Sequence, residues 1–111
     1  ANYRSKFFLN IKREKMLNDV FISGLPQYLN NKLGETACIL FGSCVRGDYY
    51  EDSDIDLFIQ SKNIKLDFSK YEKKLKRKIN IFFEEKWQNI NEGMKTGLLN
   101  DGIAINGRLK L

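Results

Sequence analysis

Two aspartates stand one residue apart inside an apolar run, Asp54-Ile55-Asp56-Leu57. On a strand, side chains two residues apart point the same way, so these carboxylates lie side by side. Burying acids without a neutralising cation is costly. A pair of hard oxygen donors suits magnesium, or manganese in its place; magnesium typically takes one or two carboxylates and completes its shell with water and substrate phosphates. The small-residue turn that suits such a substrate lies upstream, in Phe41-Gly42-Ser43-Cys44-Val45-Arg46-Gly47-Asp48. Gly42 lets a bulky polyphosphate approach the backbone. Ser43 supplies a hydroxyl and an N–H at an expected helix start, whose positive dipole end favours anions. Arg46, one turn on, reaches the same phosphates. The candidate site is therefore Asp54 and Asp56 for metal, with Gly42, Ser43 and Arg46 for a polyphosphate.

Two commoner motifs fail on spacing. Gly42 and Gly47 make a GxxxxG, but Asp48-Tyr49 follows where a P-loop needs Lys and Ser or Thr. Asp52-Ser53-Asp54-Ile55-Asp56 begins like an EF-hand, yet Leu57 replaces the required Gly and Asn63 stands where the closing Glu belongs. Histidine is absent, which excludes Ser-His-Asp and Cys-His catalysis and His-ligated zinc. Cys38 and Cys44, the only cysteines, form no CxxC and read as reduced, buried thiols.

The elements that must position these residues follow from periodicity. Phe7, Phe8, Ile11, Met16, Leu17, Val20 and Phe21 recur at helical steps, and Ser23 to Pro26 should break that helix. A second helix fits Gln27 to Leu33, with Tyr28 and Leu29 inward and Gly34 as terminator. Thr36 to Phe41 reads as a buried strand. A short helix from Cys44 to Tyr50 would be capped by Ser43. Asp54 to Ile59 is a second strand, with Ile55, Leu57 and Ile59 on one face and Asp54, Asp56 and Phe58 on the other. Asp67 would cap a helix over Phe68 to Lys78, with Phe68, Tyr71 and Leu75 inward. Ile79 to Phe83 is a third strand. Lys86 to Asn100 reads as helix interrupted near Gly93 and Gly97, and Ile103 to Ile105 as a last strand. The 111 residues, 42% hydrophobic with eight Phe, fit one domain with a real core. Its helical N-terminal segment is 1–34 and its core 35–111.

Gly42-Ser43, ten intervening residues and Asp54-Ile55-Asp56-Leu57 resemble the signature of the nucleotidyltransferase superfamily related to DNA polymerase β. The surrounding Phe41-Gly42-Ser43, Arg46-Gly47-Asp48 and Asp52-Ser53 are most similar to its small prokaryotic branch, the minimal nucleotidyltransferases, as is the tail Leu99-Asn100-Asp101-Gly102-Ile103-Ala104. The resemblance implies an α/β (α+β) fold, a short mixed sheet flanked by helices. It implies transfer of a nucleoside monophosphate, AMP from ATP above all, to a hydroxyl with release of pyrophosphate. Asp54 and Asp56 would hold the magnesium ions and Gly42 and Ser43 the triphosphate. Small members often sit beside a helical partner protein as toxin–antitoxin pairs, so the acceptor hydroxyl can belong to that partner.

One position departs from the family. Active members usually carry a third carboxylate on a later strand, and the inward polar position of Ile79 to Phe83 is Asn80. Glu84 and Glu85 would compensate only in a different register. A catalytically impaired nucleotide- or partner-binding domain is therefore the second reading. A nucleic-acid-binding regulator is the third, since the net charge is +5 and Lys70, Lys73, Lys74, Lys76, Arg77 and Lys78 form a basic run. The simpler reading of that run is a solvated helix face. Phe82 and Trp87 read as core rather than as a stacking platform. No apolar run approaches membrane-spanning length or resembles a signal sequence, so a cytoplasmic location is expected. The chain begins at Ala, as a processed chain or a piece of a longer one would.

Overall fold

A computed structural model describes the backbone of residues 3–111 and the side chains from Phe8 onward. Phe7 therefore lies outside the described side chains. Four strands form one mixed sheet: β1 (Cys38–Phe41), β2 (Ile55–Ile59), β3 (Ile79–Phe83) and β4 (Ile103–Asn106), in the order β3-β2-β1-β4. β1 runs antiparallel to β2 and β4, and β2 runs parallel to β3. Five helices accompany the sheet: α1 (Tyr3–Ser23), α2 (Leu25–Leu33), α3 (Ser43–Arg46), α4 (Ser69–Leu75) and α5 (Glu92–Asp101). The mixed sheet flanked by helices is the architecture expected from the sequence.

Period-2 alternation sorts the sheet's residues between two faces. Cys38, Leu40, Ile55, Leu57, Ile59 and Ile79 are buried in one core with Met16 and Val20 of α1, Leu25 and Leu29 of α2 and Tyr71 of α4. Ile39 and Phe58 enter a smaller cluster on the other face, with Ile90 and Leu98. Asp56 belongs to this second face, and only part of that face is covered. Both cysteines are free and buried, and burial pushes each thiol up to about 11.

Several boundaries differ from the expected ones. Among the described side chains of α1 only a narrow stripe is buried: Met16 and Val20 face the sheet, whereas Phe8, Ile11 and Phe21 are 60%, 51% and 54% exposed. Phe21 follows Val20 by one residue, about 100° round the helix, and so turns outward. The break at Ser23 to Pro26 shrinks to Gly24, whose φ is 89°. Ser23 Oγ accepts from the Leu25 N–H at 3.2 Å, and α2 starts at Leu25 with Pro26 in its first turn, where no N–H is needed.

α3 is a single turn and stops at Gly47, with φ 85°. Tyr49 leaves it to be buried, its hydroxyl donating to the Lys12 carbonyl at 2.7 Å. α4 is shorter than expected. Asp67 Oδ1 accepts from the Ser69 N–H at 3.0 Å one residue before the formal cap, and Lys76 ends the helix in the left-handed region. The segment after β3 is broken at Ile90-Asn91 and not at its glycines. A 3-10 turn, Trp87–Asn89, precedes α5, and Asn91 Oδ1 accepts from the Met94 N–H at 2.8 Å as that helix's cap. A local side-chain cap decides the helix start more strongly than a tolerated glycine ends one.

Candidate active site

β2 puts Asp56 at the centre of the uncovered part of the second face. It stands opposite Phe41 on β1 and opposite Asn80 on β3. Asp54 lies just before the first strand residue, Ile55, where expectation began the strand itself. Its backbone is held on both sides: its carbonyl accepts from Cys44 Sγ at 3.2 Å, and the next N–H, of Ile55, donates to the Lys78 carbonyl at 2.8 Å. The two carboxylates converge on the Asn80 amide. Nδ2 of Asn80 donates to Asp54 Oδ2 at 3.1 Å and to Asp56 Oδ1 at 3.3 Å.

The glycine–serine turn lies against this pair. Gly42 has φ 83°, and a Cβ there would stand 2.6 Å from Asp56 Oδ2. Glycine is thus required twice, for its backbone angle and for the carboxylate it touches. The expected cap role of Ser43 is not observed. Gly42 is the cap position, no side chain caps the turn, and Ser43 is its first helical residue. The Val45 and Arg46 N–H groups both bond to the Gly42 carbonyl. The N–H groups ahead of them open the turn, where no intrahelical acceptor exists.

Burial raises the Asp56 carboxyl above its ordinary value, and the neighbouring Asp54 adds to that; the Asn80 hydrogen bond and the Arg46 charge act in the opposite direction. Arg46 is therefore close enough to stabilise negative charge here, although its guanidinium pairs with Asp48 at 3.3 Å on the surface. Two carboxylates on one rim, one of them partly desolvated, fit a hard divalent cation. Turned by half a rotation, the Asn80 amide would present oxygen instead of nitrogen to that cation. Among the described residues no group of three or more His, Cys, Asp or Glu side chains converges. Glu84 and Glu85 follow β3 and leave the Asp56-facing position to Asn80.

Other residues take places that composition does not reveal. Phe41 and Phe82 meet edge to face, with ring centroids 5.5 Å apart, and Phe82 is 38% exposed. The reading of Phe82 as core is corrected: as the next same-face residue after Asn80, it rims the site. Trp87 does pack against the second cluster. The basic run is divided. Lys74 Nζ donates to the Ser23 carbonyl, and Arg77 donates to the carbonyls of Tyr50 and Ser53, both at 2.8 Å. Arg77 thereby braces the loop that delivers Asp54. No spacing rule signals that role, because its partners are backbone carbonyls.

A model of the nucleotidyltransferase domain matches residues 22–94. The chain belongs to that family. The matched span contains every residue of the candidate site, from Gly42 to Asn80, and it stops inside α5. A nucleotidyltransferase domain acts on a nucleotide and transfers its nucleotidyl group, and the family usually works with divalent metal. A comparison with curated proteins returned no match. No helix among the described residues is long and apolar enough to cross a membrane.

Proposed function

We propose that this nucleotidyltransferase domain moves AMP from ATP to a hydroxyl, on an antitoxin-type partner protein, with magnesium or manganese held by Asp54 and Asp56. The observation that carries the reading is the packing of Asp56 against Gly42, which joins the carboxylate pair and the phosphate turn into one site. Adenine and the partner rest on the likeness to the minimal nucleotidyltransferases.

In this reading the turn at Gly42 and Ser43 receives the triphosphate, and Arg46 leaves Asp48 to bind the same oxygens. The metal would supply charge neutralisation at the attacking and leaving oxygens. Asp54 and Asp56 orient the ensemble so that the acceptor oxygen lies in line with the bond to be broken. A bond forms between that oxygen and the α-phosphorus, the bond to the β-phosphate bridging oxygen breaks, and pyrophosphate departs. The acceptor proton passes to a site carboxylate or to water. Phe41 and Phe82 exclude solvent from one side.

Incubation with labelled ATP, either metal and the product of the neighbouring gene tests the proposal. Label on the partner is expected; no label with any divalent metal overturns it. Asn80 favors a second reading, binding without turnover, because a neutral amide occupies the position in register with Asp56. That reading predicts metal-dependent ATP affinity without pyrophosphate release.

A further inference from the structure

We infer that β3 is a self-complementary edge through which two copies of this chain join their sheets, so that Phe82 of the second copy completes the site beside Asn80. Among the described residues the sheet ends at β3. Its bonds to β2 use the even-numbered positions: Ile55 N–H donates to the Lys78 carbonyl at 2.8 Å and Glu84 N–H to the Ile59 carbonyl at 3.3 Å. Residues of a parallel strand alternate in the neighbour they face. The N–H and C=O groups of Ile81 therefore point away from β2, as do the Phe83 N–H and the Ile79 carbonyl. The Ile79 N–H is already taken, by Glu72 Oε2 at 2.8 Å.

Natural edges are usually guarded by Lys, Pro, a bulge or a covering element. Ile79-Asn80-Ile81-Phe82-Phe83 contains no such residue and exposes Phe82. Charge then selects the occupant. Lys78 precedes the strand and Glu84 follows it, both on the face of Asn80 and Phe82. With Ile81 set opposite Ile81 of the second copy, an antiparallel pairing brings Lys78 against Glu84 of the second copy, and the reverse. It also brings Asn80 against Phe82 of the second copy. About four backbone hydrogen bonds result, using the free groups and not the occupied one.

Directly opposed side chains stand about 5 Å apart at Cβ. Phe82 of the second copy would thus wall the carboxylate site on the side that a single chain leaves open. The two carboxylate pairs would share one sheet face, three strand spacings apart across it and offset by about four residues along it, about 20 Å in all.

The pairing does not depend on catalysis, so the metal-free chain serves for the test. Sedimentation equilibrium should show a dimer with a dissociation constant on the order of 10–100 μM, as a small interface implies. Lys78→Glu and Glu84→Lys should each weaken it about tenfold, since like charges then oppose one another twice. The double exchange should restore it to within about twofold of the original. Amide exchange at Ile81 and Phe83 should slow with rising concentration while Asn80 and Phe82 stay unchanged. A chain that remains monomeric to about 1 mM, or a dimer indifferent to both single exchanges, overturns the inference.

Discussion

Gly42 and Asp56 come so close that a side chain on the first would displace the second: a Cβ at Gly42 would stand 2.6 Å from Asp56 Oδ2. The φ of 83° adds backbone strain for any other residue. Gly42→Ala should cost about 1–3 kcal/mol of stability in urea unfolding. The carboxylate end is the part free to swing aside, so the larger effect falls on binding. Calorimetry should show loss of metal-dependent ATP affinity in a protein that still folds. Retained affinity would separate the turn from the carboxylates.

Asn80 holds both acids through one nitrogen, at 3.1 and 3.3 Å. Asn80→Asp replaces that donor with a third negative charge. The metal-free variant should be less stable by about 1–2 kcal/mol, because like charges then crowd one site. Divalent metal should recover that loss, and pyrophosphate release should rise. A variant whose melting temperature ignores metal would contradict a metal site here.

Among the described residues Arg46 pairs only with Asp48, on the surface. Such a pair contributes about 0–1 kcal/mol, so Arg46→Ala should leave unfolding nearly unchanged. Its loss should weaken ATP binding about tenfold and flatten the salt dependence of that binding. An equal effect on stability would assign Arg46 to the fold instead.

Burial raises the Asp56 carboxyl, so the folded chain holds that proton more tightly than the unfolded chain does. The stability this contributes is present in acid, below the unfolded value, and is lost as pH rises through the raised folded value. Asp56→Asn removes the dependence. The stability of Asp56→Asn relative to the original chain should therefore grow between pH 4 and neutrality, roughly the window above the ordinary carboxylate value. Urea titrations of both proteins across that range measure the difference. A constant difference would mean that Asp56 is not desolvated.

Asn91 caps α5 through the Met94 N–H and faces no charge at the site. Asn91→Ala should cost about 1 kcal/mol and lower the melting temperature by about 5 °C. ATP affinity should stay within about twofold.

The faces of β2 were legible because alternation is a strict rule: Ile55, Leu57 and Ile59 enter one core, while Asp56 and Phe58 take the other side. The same rule put Asn80 on the inward side of its strand, while its place opposite Asp56 follows from the β2–β3 register, which strand bounds alone do not set. Helix ends were less legible. Ser43 reads as a cap by type, yet Gly42 takes that place because its positive φ turns the chain into α3. Asn91 starts α5 through one side-chain bond, whereas Gly93 and Gly97 lie inside the helix without ending it. Phe82 shows where composition misleads: an aromatic residue on an edge strand is buried only if something covers it. Long-range braces such as Arg77 to Tyr50 and Ser53 leave no periodic trace at all.

Gly47 lies with its α-carbon so near helix α1 that an added Cβ would stand 2.1 Å from the Leu9 carbonyl oxygen. The first helix thus presses directly on the end of the turn that carries Ser43 and Arg46. With the Tyr49 hydroxyl bonded to the Lys12 carbonyl, α1 is tied to this segment on either side of Asp48. Any side chain at residue 47 would have to push the two elements apart.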